Sequence, residues 1–328
     1  MPQETVFLTG ATGFVGRHLL ERLGASPGRK LVCLARRPPE SGPQPKSGTV
    51  IEWVQGDLTV PGPWTEALRG ASSAVHLAAL TGKAPAAEHE RVNVEGTRDF
   101  VQACRAAGVR RLLFVSTIAT SYPEKRRYPY ARSKERAEGL VRAYSGDWTV
   151  FRPTIVLGTG APIWDALCRL ARMPLTPVFG GGKATVQPIA VEDVVDAILS
   201  WLREGGLARQ TIDLGGPEIL SFRDLLRRVK RALGRGGERG DGGLVPVPWG
   251  PTVALLGMLE PFLLRQLPLT AGQLYAFRYD GTAAPSDFGV RRRERLVRLD
   301  ALIERLARET LEREAGPGPG PTEDGGAE

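Results

Sequence analysis

Three glycines spaced by three residues follow the first apolar run of the chain. They belong to Thr9-Gly10-Ala11-Thr12-Gly13-Phe14-Val15-Gly16, which lies between a strand-like run at 6–8 and a helix-like run at 15–23. A strand that turns directly into a helix needs a positive φ near Gly10, and a side chain at Gly13 would obstruct a phosphate at the helix N-terminus. Unpaired N–H groups of the first helical turn attract that phosphate. The segment therefore predicts a dinucleotide site, although its spacing is G-x-x-G-x-x-G rather than G-x-G-x-x-G.

Strand-like and helix-like segments alternate regularly over the first 160 residues. The predicted strands lie near 4–8, 30–35, 50–55, 74–77, 111–116 and 148–152, and the predicted helices near 14–23, 63–69, 86–107 and 128–143. Such alternation is typical of a parallel sheet with helices on both faces, and the strands are continuous apolar runs, as that burial requires. The predicted fold class is α/β: a Rossmann-type, doubly wound parallel sheet with a smaller C-terminal substrate lobe.

The alternation is lost after residue 160. Helices are predicted near 162–172, 191–203 and 221–233, with short single strands between them and glycine-rich turns at 180–182 and 234–243. We predict a dinucleotide-binding core at 1–160 and a mixed lobe at 161–315, with core elements near 185–214 returning to the sheet. Residues 316–328 have too little apolar content to pack and are predicted to be a disordered tail.

Charge and cysteine usage exclude several classes of function. The net charge of +8 is spread over the chain, and its densest cluster, at Arg291-Arg292-Arg293 with Arg295 and Arg298, has no interleaved aromatic residues. It is interpreted as a solvated helix face, with no nucleic-acid partner. Three widely spaced cysteines, Cys33, Cys104 and Cys168, indicate buried free thiols, and no metal site is predicted. The N-terminal sequence shows no secretory signal, so a cytoplasmic location is expected.

One apolar stretch, at 253–275, is interrupted by Glu260, Pro261, Arg265 and Pro268. These residues leave it too short to span a membrane. It is predicted to form a core helix or a pocket wall. The alternative is a surface that contacts a membrane or a protein partner, or that admits a lipid-like substrate.

The chemistry is predicted from Tyr130 and Lys134, which are four residues apart and would share one face of a helix. A nearby ammonium lowers the pKa of a phenol, which could then exchange a proton with a carbonyl oxygen while a nicotinamide exchanges hydride with the carbon. Ser116 and Thr117 end an apolar strand, where a hydroxyl can bind the same oxygen. Asn93 is an unusual residue for a helix interior and is predicted to anchor the helix or a proton-relay water.

Arg36 and Arg37 follow the second strand, where an NAD-preferring protein would carry an acid. A guanidinium pairs with the 2′-phosphate that a carboxylate would repel. NADP(H) is therefore the favoured cofactor, and NAD(H) is the alternative.

These motifs together resemble the short-chain dehydrogenases/reductases of the extended or atypical kind. The segments that carry the resemblance follow one another in the family's order. They are 9–16, Gly56-Asp57-Leu58, His76-Leu77-Ala78-Ala79, Asn93 to Thr97, Ser116-Thr117, Tyr130 to Lys134 and Arg152-Pro153-Thr154. The segments 130–138, 148–153 and 187–193 most resemble the subgroup that includes the 39-kDa-like accessory subunit of respiratory complex I, some members of which bind NADPH without turnover.

The resemblance implies a role for each matching residue. The cofactor-binding set consists of Gly10, Thr12, Gly13, Phe14, Val15, Gly16 and Arg36, then Asp57 and Leu58 at the adenine, Ala78 and Ala79 along the cofactor, Tyr130 and Lys134, and Pro153, Thr154, Ile155 and Val156 at the nicotinamide. The catalytic group consists of Tyr130, Lys134, Thr117 or Ser116, and Asn93. Extended relatives often form homodimers through the helices near 86–107 and 128–143.

The predicted function is NADP(H)-dependent hydride transfer to or from a carbonyl or secondary alcohol of a small or apolar molecule. Two alternatives stay open: a non-catalytic NADP(H)-binding assembly protein, and a nucleotide-sugar epimerase or dehydratase with a tightly held NAD. The gap of 13 positions between Thr117 and Tyr130 is shorter than in many extended enzymes. It leaves the substrate side of the pocket undefined.

Overall fold

The computed structural model describes residues 4–25, 28–40, 48–125, 127–235, 243–263, 270–275 and 277–315. The predicted tail at 316–328 and most of the glycine-rich turn at 234–243 lie outside these residues.

A seven-stranded parallel sheet forms the centre of the fold. Its strands are β1 (Glu4–Thr9), β2 (Arg29–Ala35), β3 (Val50–Gln55), β4 (Ser73–His76), β5 (Arg111–Val115), β6 (Asp147–Pro153) and β11 (Gln210–Leu214). The order across the sheet is β11-β6-β5-β4-β1-β2-β3. The direction of winding reverses between β1 and β4, and ligands bind beyond the strand ends at such a point. The predicted Rossmann-type fold is confirmed.

The helices that follow the strands lie close to their predicted positions. They are α1 (Phe14–Gly24), α2 (Ala86–His89), α3 (Gly96–Ala106), α4 (Pro129–Arg142), α5 (Pro162–Arg172), α6 (Val191–Glu204), α7 (Phe222–Ala232), α8 (Trp249–Leu263), α9 (Ala271–Tyr275), α10 (Asp287–Arg292) and α11 (Leu299–Ala315). The helix predicted near 63–69 is a 3₁₀ helix at Pro63–Leu68, and a π-helical turn, Glu90–Glu95, joins α2 to α3. Three two-stranded sheets complete the fold, pairing β10 (Ile189–Ala190) with β7 (Val156–Leu157), β12 (Leu220–Ser221) with β9 (Thr185–Val186), and β13 (Leu244–Val247) with β8 (Thr176–Phe179).

Both faces of the central sheet are covered by apolar side chains. In β1, Val6 and Leu8 pack into a cluster with α1 and α6, whereas Phe7 packs on the other face with side chains of α3 and α4. This alternation explains why the strand is a continuous apolar run, because each successive side chain enters a different core. A third cluster is formed by α5, α7 and α11.

Two expectations about polar and sulfur-containing side chains have different outcomes. The three cysteines are free and buried, as predicted. The basic cluster does not form one solvated face, because Arg292 donates hydrogen bonds to Ser200 Oγ and to the carbonyl oxygen of Asp193. For that residue the prediction was wrong: the guanidinium is half-buried against α6.

Gly10 allows the turn after β1 to approach closely the backbone that follows β4, a neighbouring strand of the sheet. Its φ is +72°, and a Cβ atom there would lie 2.5 Å from the backbone nitrogen of Ala78. Gly16 allows a second close approach, since its Cβ would lie 2.1 Å from the carbonyl oxygen of Gly10. The turn therefore requires glycine for both its backbone angle and its space.

A matched pair of substitutions separates these two requirements. Gly108 has a φ of +69°, but a Cβ there would meet nothing within 4 Å. Gly108→Ala should therefore cost only the strain of a left-handed backbone, about 1 kcal/mol. Gly10→Ala should cost about 1–3 kcal/mol more, because its Cβ would overlap the backbone of Ala78. Urea unfolding measures both, and equal losses would show that the close approach is unimportant.

Candidate active site

The turns after β1, β2, β3 and β4 enclose a cleft of about 260 Å³. It is lined by Thr9, Gly10, Thr12, Gly13, Leu34, Ala35, Arg36, Gly56, Asp57, Leu58, Leu77, Ala78, Ala79, Leu80, Arg91 and Val92. No side chain of the described residues caps the N-terminus of α1, which begins directly after Gly13. Uncapped N–H groups at the entrance of a glycine-lined cleft fit a pyrophosphate.

Asp57 lies in this cleft between two arginines. Burial opposes ionisation of its carboxyl group, but hydrogen bonds from Thr59 and the charges of Arg36 and Arg91 outweigh that effect and lower its pKa. Arg91 also donates a hydrogen bond of 2.8 Å to Thr59 Oγ1. The sequence predicted Asp57 and Arg36 but missed Arg91, although it is only two residues before Asn93.

A chain of buried hydrogen bonds begins at the glycine turn. Thr9 Oγ1 accepts from the backbone N–H of Ala78 and lies 2.6 Å from His76 Nδ1. His76 Nε2 lies 3.0 Å from Thr97 Oγ1, which donates to the carbonyl oxygen of Asn93. Because Thr97 donates there, it accepts from His76, so Nε2 carries the imidazole proton. Burial and the charge of Lys134 lower the pKa of His76 to about 3, which keeps the ring neutral.

The Asn93 side chain continues this chain to α4, the helix that carries Tyr130 and Lys134. Its amide oxygen accepts from Leu80 N, and its amide nitrogen donates to Leu80 O and to Ser133 Oγ at 2.9 Å. Ser133 in turn donates to the carbonyl oxygen of Tyr130. Asn93 therefore anchors the segment after β4 to α4, which favours the first of its two predicted roles. Asn93 lies in a π-helical turn, which explains why a residue of low α-helix propensity occurs in this helical segment. Such turns are frequent at functional sites.

Tyr130 lines a second cavity, of about 570 Å³. Burial raises the pKa of its phenol to about 12, and hydrogen bonding with the Thr117 hydroxyl partly opposes that rise. Thr117 is therefore the hydroxyl that the structure brings to Tyr130. Within the described part of the chain, the buried Ser116 hydroxyl makes no hydrogen bond of ordinary geometry, although it lies close enough to Glu138 to lower the pKa of that carboxyl group.

Lys134 departs from the expected arrangement. Its ammonium group donates to the carbonyl oxygen of Val115 at 2.9 Å and lies 3.9 Å from the centre of the Phe114 ring. Burial lowers the pKa of Lys134 to about 7, against the opposing charge of Glu138. The prediction that this ammonium lowers the pKa of Tyr130 is not met in this arrangement, because the buried group has turned toward an acceptor on β5.

Glu138 fixes the other side of α4. Its carboxylate is fully buried and accepts two hydrogen bonds from Arg152, at 2.9 and 2.6 Å, one from Arg142 and one from Thr120. Burial alone would raise its pKa, but hydrogen bonding with Arg152 and the nearby positive charges lower it. The carboxylate therefore joins α4 to β6 and to the segment that follows Thr117.

The predicted nicotinamide segment lies at the carboxyl end of β6. Thr154 donates its backbone N–H to Leu214 O, and Ile155 O accepts from Ile189 N. Phe14 packs edge-on against His18 and contacts two of the apolar clusters. These contacts hold the segment and the start of α1 in place.

The described parts of the apolar stretch, 253–263 and 270–275, contribute a wall to the larger cavity, as predicted. That wall includes Val253, Ala254, Gly257 and Glu260 of α8 and the start of α9. On the outer side of α8, exposed fractions reach 57% for Leu255, 71% for Met258 and 82% for Phe262. None of the helices in the described ranges is long and apolar enough to cross a membrane.

Comparison with known proteins identifies the family. Residues 6–215 match the model of the NAD-dependent epimerase/dehydratase family. The chain belongs to this family. Ceramide reductase of Caulobacter vibrioides is 29% identical over 296 residues, which cover 90% of this chain and 84% of that protein. NADH dehydrogenase (ubiquinone) 1 alpha subcomplex subunit 9 of Arabidopsis thaliana is 28% identical over 67% of this chain and 55% of that protein.

Solved structures agree on the fold. A short-chain dehydrogenase/reductase superfamily protein from Agrobacterium tumefaciens, solved with bound NAD, superposes with a TM-score of 0.65 at 23% identity. The match covers 95% of this chain and 99% of that one. The predicted resemblance is confirmed: the chain is an NAD(P)-dependent enzyme of the extended short-chain dehydrogenase/reductase type, and it uses a nicotinamide cofactor.

The buried Lys134 gives this family member a pH-dependent stability. Its pKa of about 7 in the folded chain is below the ordinary value of 10.5. Between these values the unfolded chain holds the proton and the folded chain does not, so the free energy of unfolding rises with pH. From pH 7 to pH 9 the rise should be about 1–2.5 kcal/mol greater in the wild type than in Lys134→Met.

Urea unfolding at several pH values measures this difference. Lys183→Met is the control, because Lys183 is exposed. Its stability should follow that of the wild type with pH. If the stability of Lys134→Met and that of the wild type change equally with pH, the lowered pKa of Lys134 is contradicted.

Proposed function

We propose that the chain is an NADP(H)-dependent oxidoreductase that transfers hydride to or from a carbonyl or secondary-alcohol carbon of an apolar molecule. The observation that carries the proposal is the position of Tyr130, in a cavity of about 570 Å³ with α8 as one wall. A bound nicotinamide supplies or accepts the hydride. This chain's own residues orient the substrate and move the proton.

Tyr130 is the proton donor in the direction of reduction. A phenol with a pKa of about 12 is fully protonated at neutral pH, so it can donate to the carbonyl oxygen as negative charge develops there. The Thr117 hydroxyl, beside the phenol, can hold the same oxygen. Lys134 lies one helical turn further along α4, and its ammonium stabilises the phenolate left behind when the side chain turns from Val115 O toward Tyr130. Asn93 and Ser133 keep this turn in position.

The substrate class is proposed from the cavity and from one relative. The Caulobacter relative is named as a ceramide reductase. A ceramide has one secondary alcohol, whose oxidised form is a ketone with an apolar chain on one side, and α8 offers an apolar wall for that chain. Among the described residues that line the cavity, Arg127 and Glu260 are the charged ones, and their charges cancel. A nucleotide sugar, with its two phosphates, would favour a surplus of positive charge.

The exposed face of α8 extends this proposal to a membrane surface. Its apolar outer side chains adjoin the wall of the substrate cavity on the same helix. We propose that this face contacts the lipid surface that supplies an apolar substrate, and flotation with lipid vesicles would reveal that contact. The alternatives of a protein partner or a homodimer paired through the helices near 86–107 and 128–143 predict instead a larger mass in sedimentation.

Tyr130→Phe tests the catalytic assignment. The variant should bind NADPH normally and lose about 10²–10⁴-fold in kcat for reduction of the 3-keto form of a short-chain ceramide. Tyr128→Phe is the control, because the Tyr128 ring lies 5.9 Å from that of Tyr130 in the same cavity. It should change kcat less than about tenfold. An unchanged rate in Tyr130→Phe would refute the mechanism.

Arg36→Asp tests the cofactor. The new carboxylate would repel the 2′-phosphate, so the Kd for NADPH should rise by at least about tenfold while the Kd for NADH changes little. Arg37→Asp, at the neighbouring exposed position, is the matched control and should affect both cofactors weakly. Calorimetric titration gives both constants. Equal losses for NADPH and NADH in Arg36→Asp would exclude the 2′-phosphate role.

A further inference from the structure

We propose that His89 selects substrates that carry a hydrogen-bond donor, a hydroxyl or an amide N–H, close to the carbonyl that Tyr130 protonates. The inference rests on the proposed reductase function and specifies what the substrate presents beside its reacting carbon.

His89 is buried but belongs to the wall of the cavity. It ends α2, is 2% exposed, and lines the same cavity as Tyr130. The two rings are 6.0 Å apart between their centres. Its Nδ1 atom is buried and has no hydrogen-bond partner among the described residues. An unsatisfied buried nitrogen is costly to folding, and once the ring tilts toward the cavity that it lines, a bound molecule can supply the partner.

The protonation state of His89 determines what that partner must be. Burial lowers the pKa of the imidazole, against the opposing effect of hydrogen bonding to the backbone at Leu80 and Gly82. The neutral ring has one N–H and one bare nitrogen. Backbone carbonyl oxygens can accept only from the N–H, and Nδ1 is the nitrogen without a partner. Nδ1 is therefore the bare acceptor, and it requires a donor.

The distance between the rings limits where the donor can be on the substrate. A molecule that meets both Tyr130 and Nδ1 must carry the donor only a few bonds from its carbonyl carbon, because both rings line one cavity 6.0 Å apart. A ceramide oxidised at its secondary alcohol meets this condition. The carbon next to its carbonyl bears the amide N–H and a hydroxymethyl group.

Matched substrates test the inference. The probes are a short-chain 3-ketoceramide, its 1-deoxy analogue and its N-methyl amide analogue. For the wild type, kcat/KM should fall at least about tenfold for the analogue that lacks the donor His89 recognises. His89→Leu should reduce the rate for the parent to that of this analogue and leave the analogue's own rate unchanged. His89→Asn should restore part of the preference, because its amide oxygen can accept a hydrogen bond near the position of Nδ1.

A purely structural role predicts a different pattern. If His89→Leu lowers all three rates by the same factor, or if the wild type treats the three ketones alike, the proposal is overturned. Circular dichroism and NADPH binding should be the same in His89→Leu as in the wild type.

A binding measurement separates this proposal from the proposed function. The corresponding alcohols are titrated into the NADP⁺-loaded protein, and their Kd values are compared for the wild type and His89→Leu. Loss of the wild-type preference in His89→Leu supports the proposal even if Tyr130→Phe retains activity and the mechanism fails. Equal Kd values for all three alcohols in the wild type would overturn the His89 proposal while leaving the mechanism intact.

Discussion

A continuous path of hydrogen bonds connects the glycine turn after β1 to the backbone of Tyr130. Its members are Thr9, His76, Thr97, Asn93, Ser133 and the carbonyl oxygen of Tyr130. They come from β1, β4, the π-helical turn with the adjoining start of α3, and α4, and they span residues 9–133 of the chain. Each buried member is satisfied by its neighbours, and such a network is rigid because any single loss leaves a costly unpaired group. The positions of the cleft and of Tyr130 therefore depend on each other.

Two buried ionisable side chains of α4, Glu138 and Lys134, lie beside this path in different surroundings. Glu138 receives several hydrogen bonds, including two from Arg152, so its charge is compensated in place. Lys134 has one backbone acceptor and an aromatic ring, and its pKa falls to about 7. A cation held so weakly changes its protonation near neutral pH, which suits a group that acts during proton transfer. The charge of Glu138 thus holds α4 in place, whereas Lys134 can gain or lose its proton near neutral pH.

The sequence predicted the fold and the glycine turn that lines the smaller cleft, because both depend on local patterns. Gly10 must have a positive φ, and continuous apolar strands must be covered on both faces. The direction of the Lys134 side chain could not be predicted, because it depends on which carbonyl is left free at the end of β5. His89 was also missed, since its importance lies in an unsatisfied nitrogen. Its only sequence signal is its position four residues before Asn93, on the same side of the helical segment.

The central claim is that hydride passes directly between a nicotinamide and a substrate carbon in the cavity beside Tyr130. Reduction of a 3-ketoceramide with NADPH deuterated at both C4 positions, followed by mass spectrometry, tests it most directly. The account predicts one deuterium in each product molecule, on the carbon that bears the new hydroxyl. A product without deuterium, or a cofactor that keeps both deuterium atoms through turnover, would contradict it.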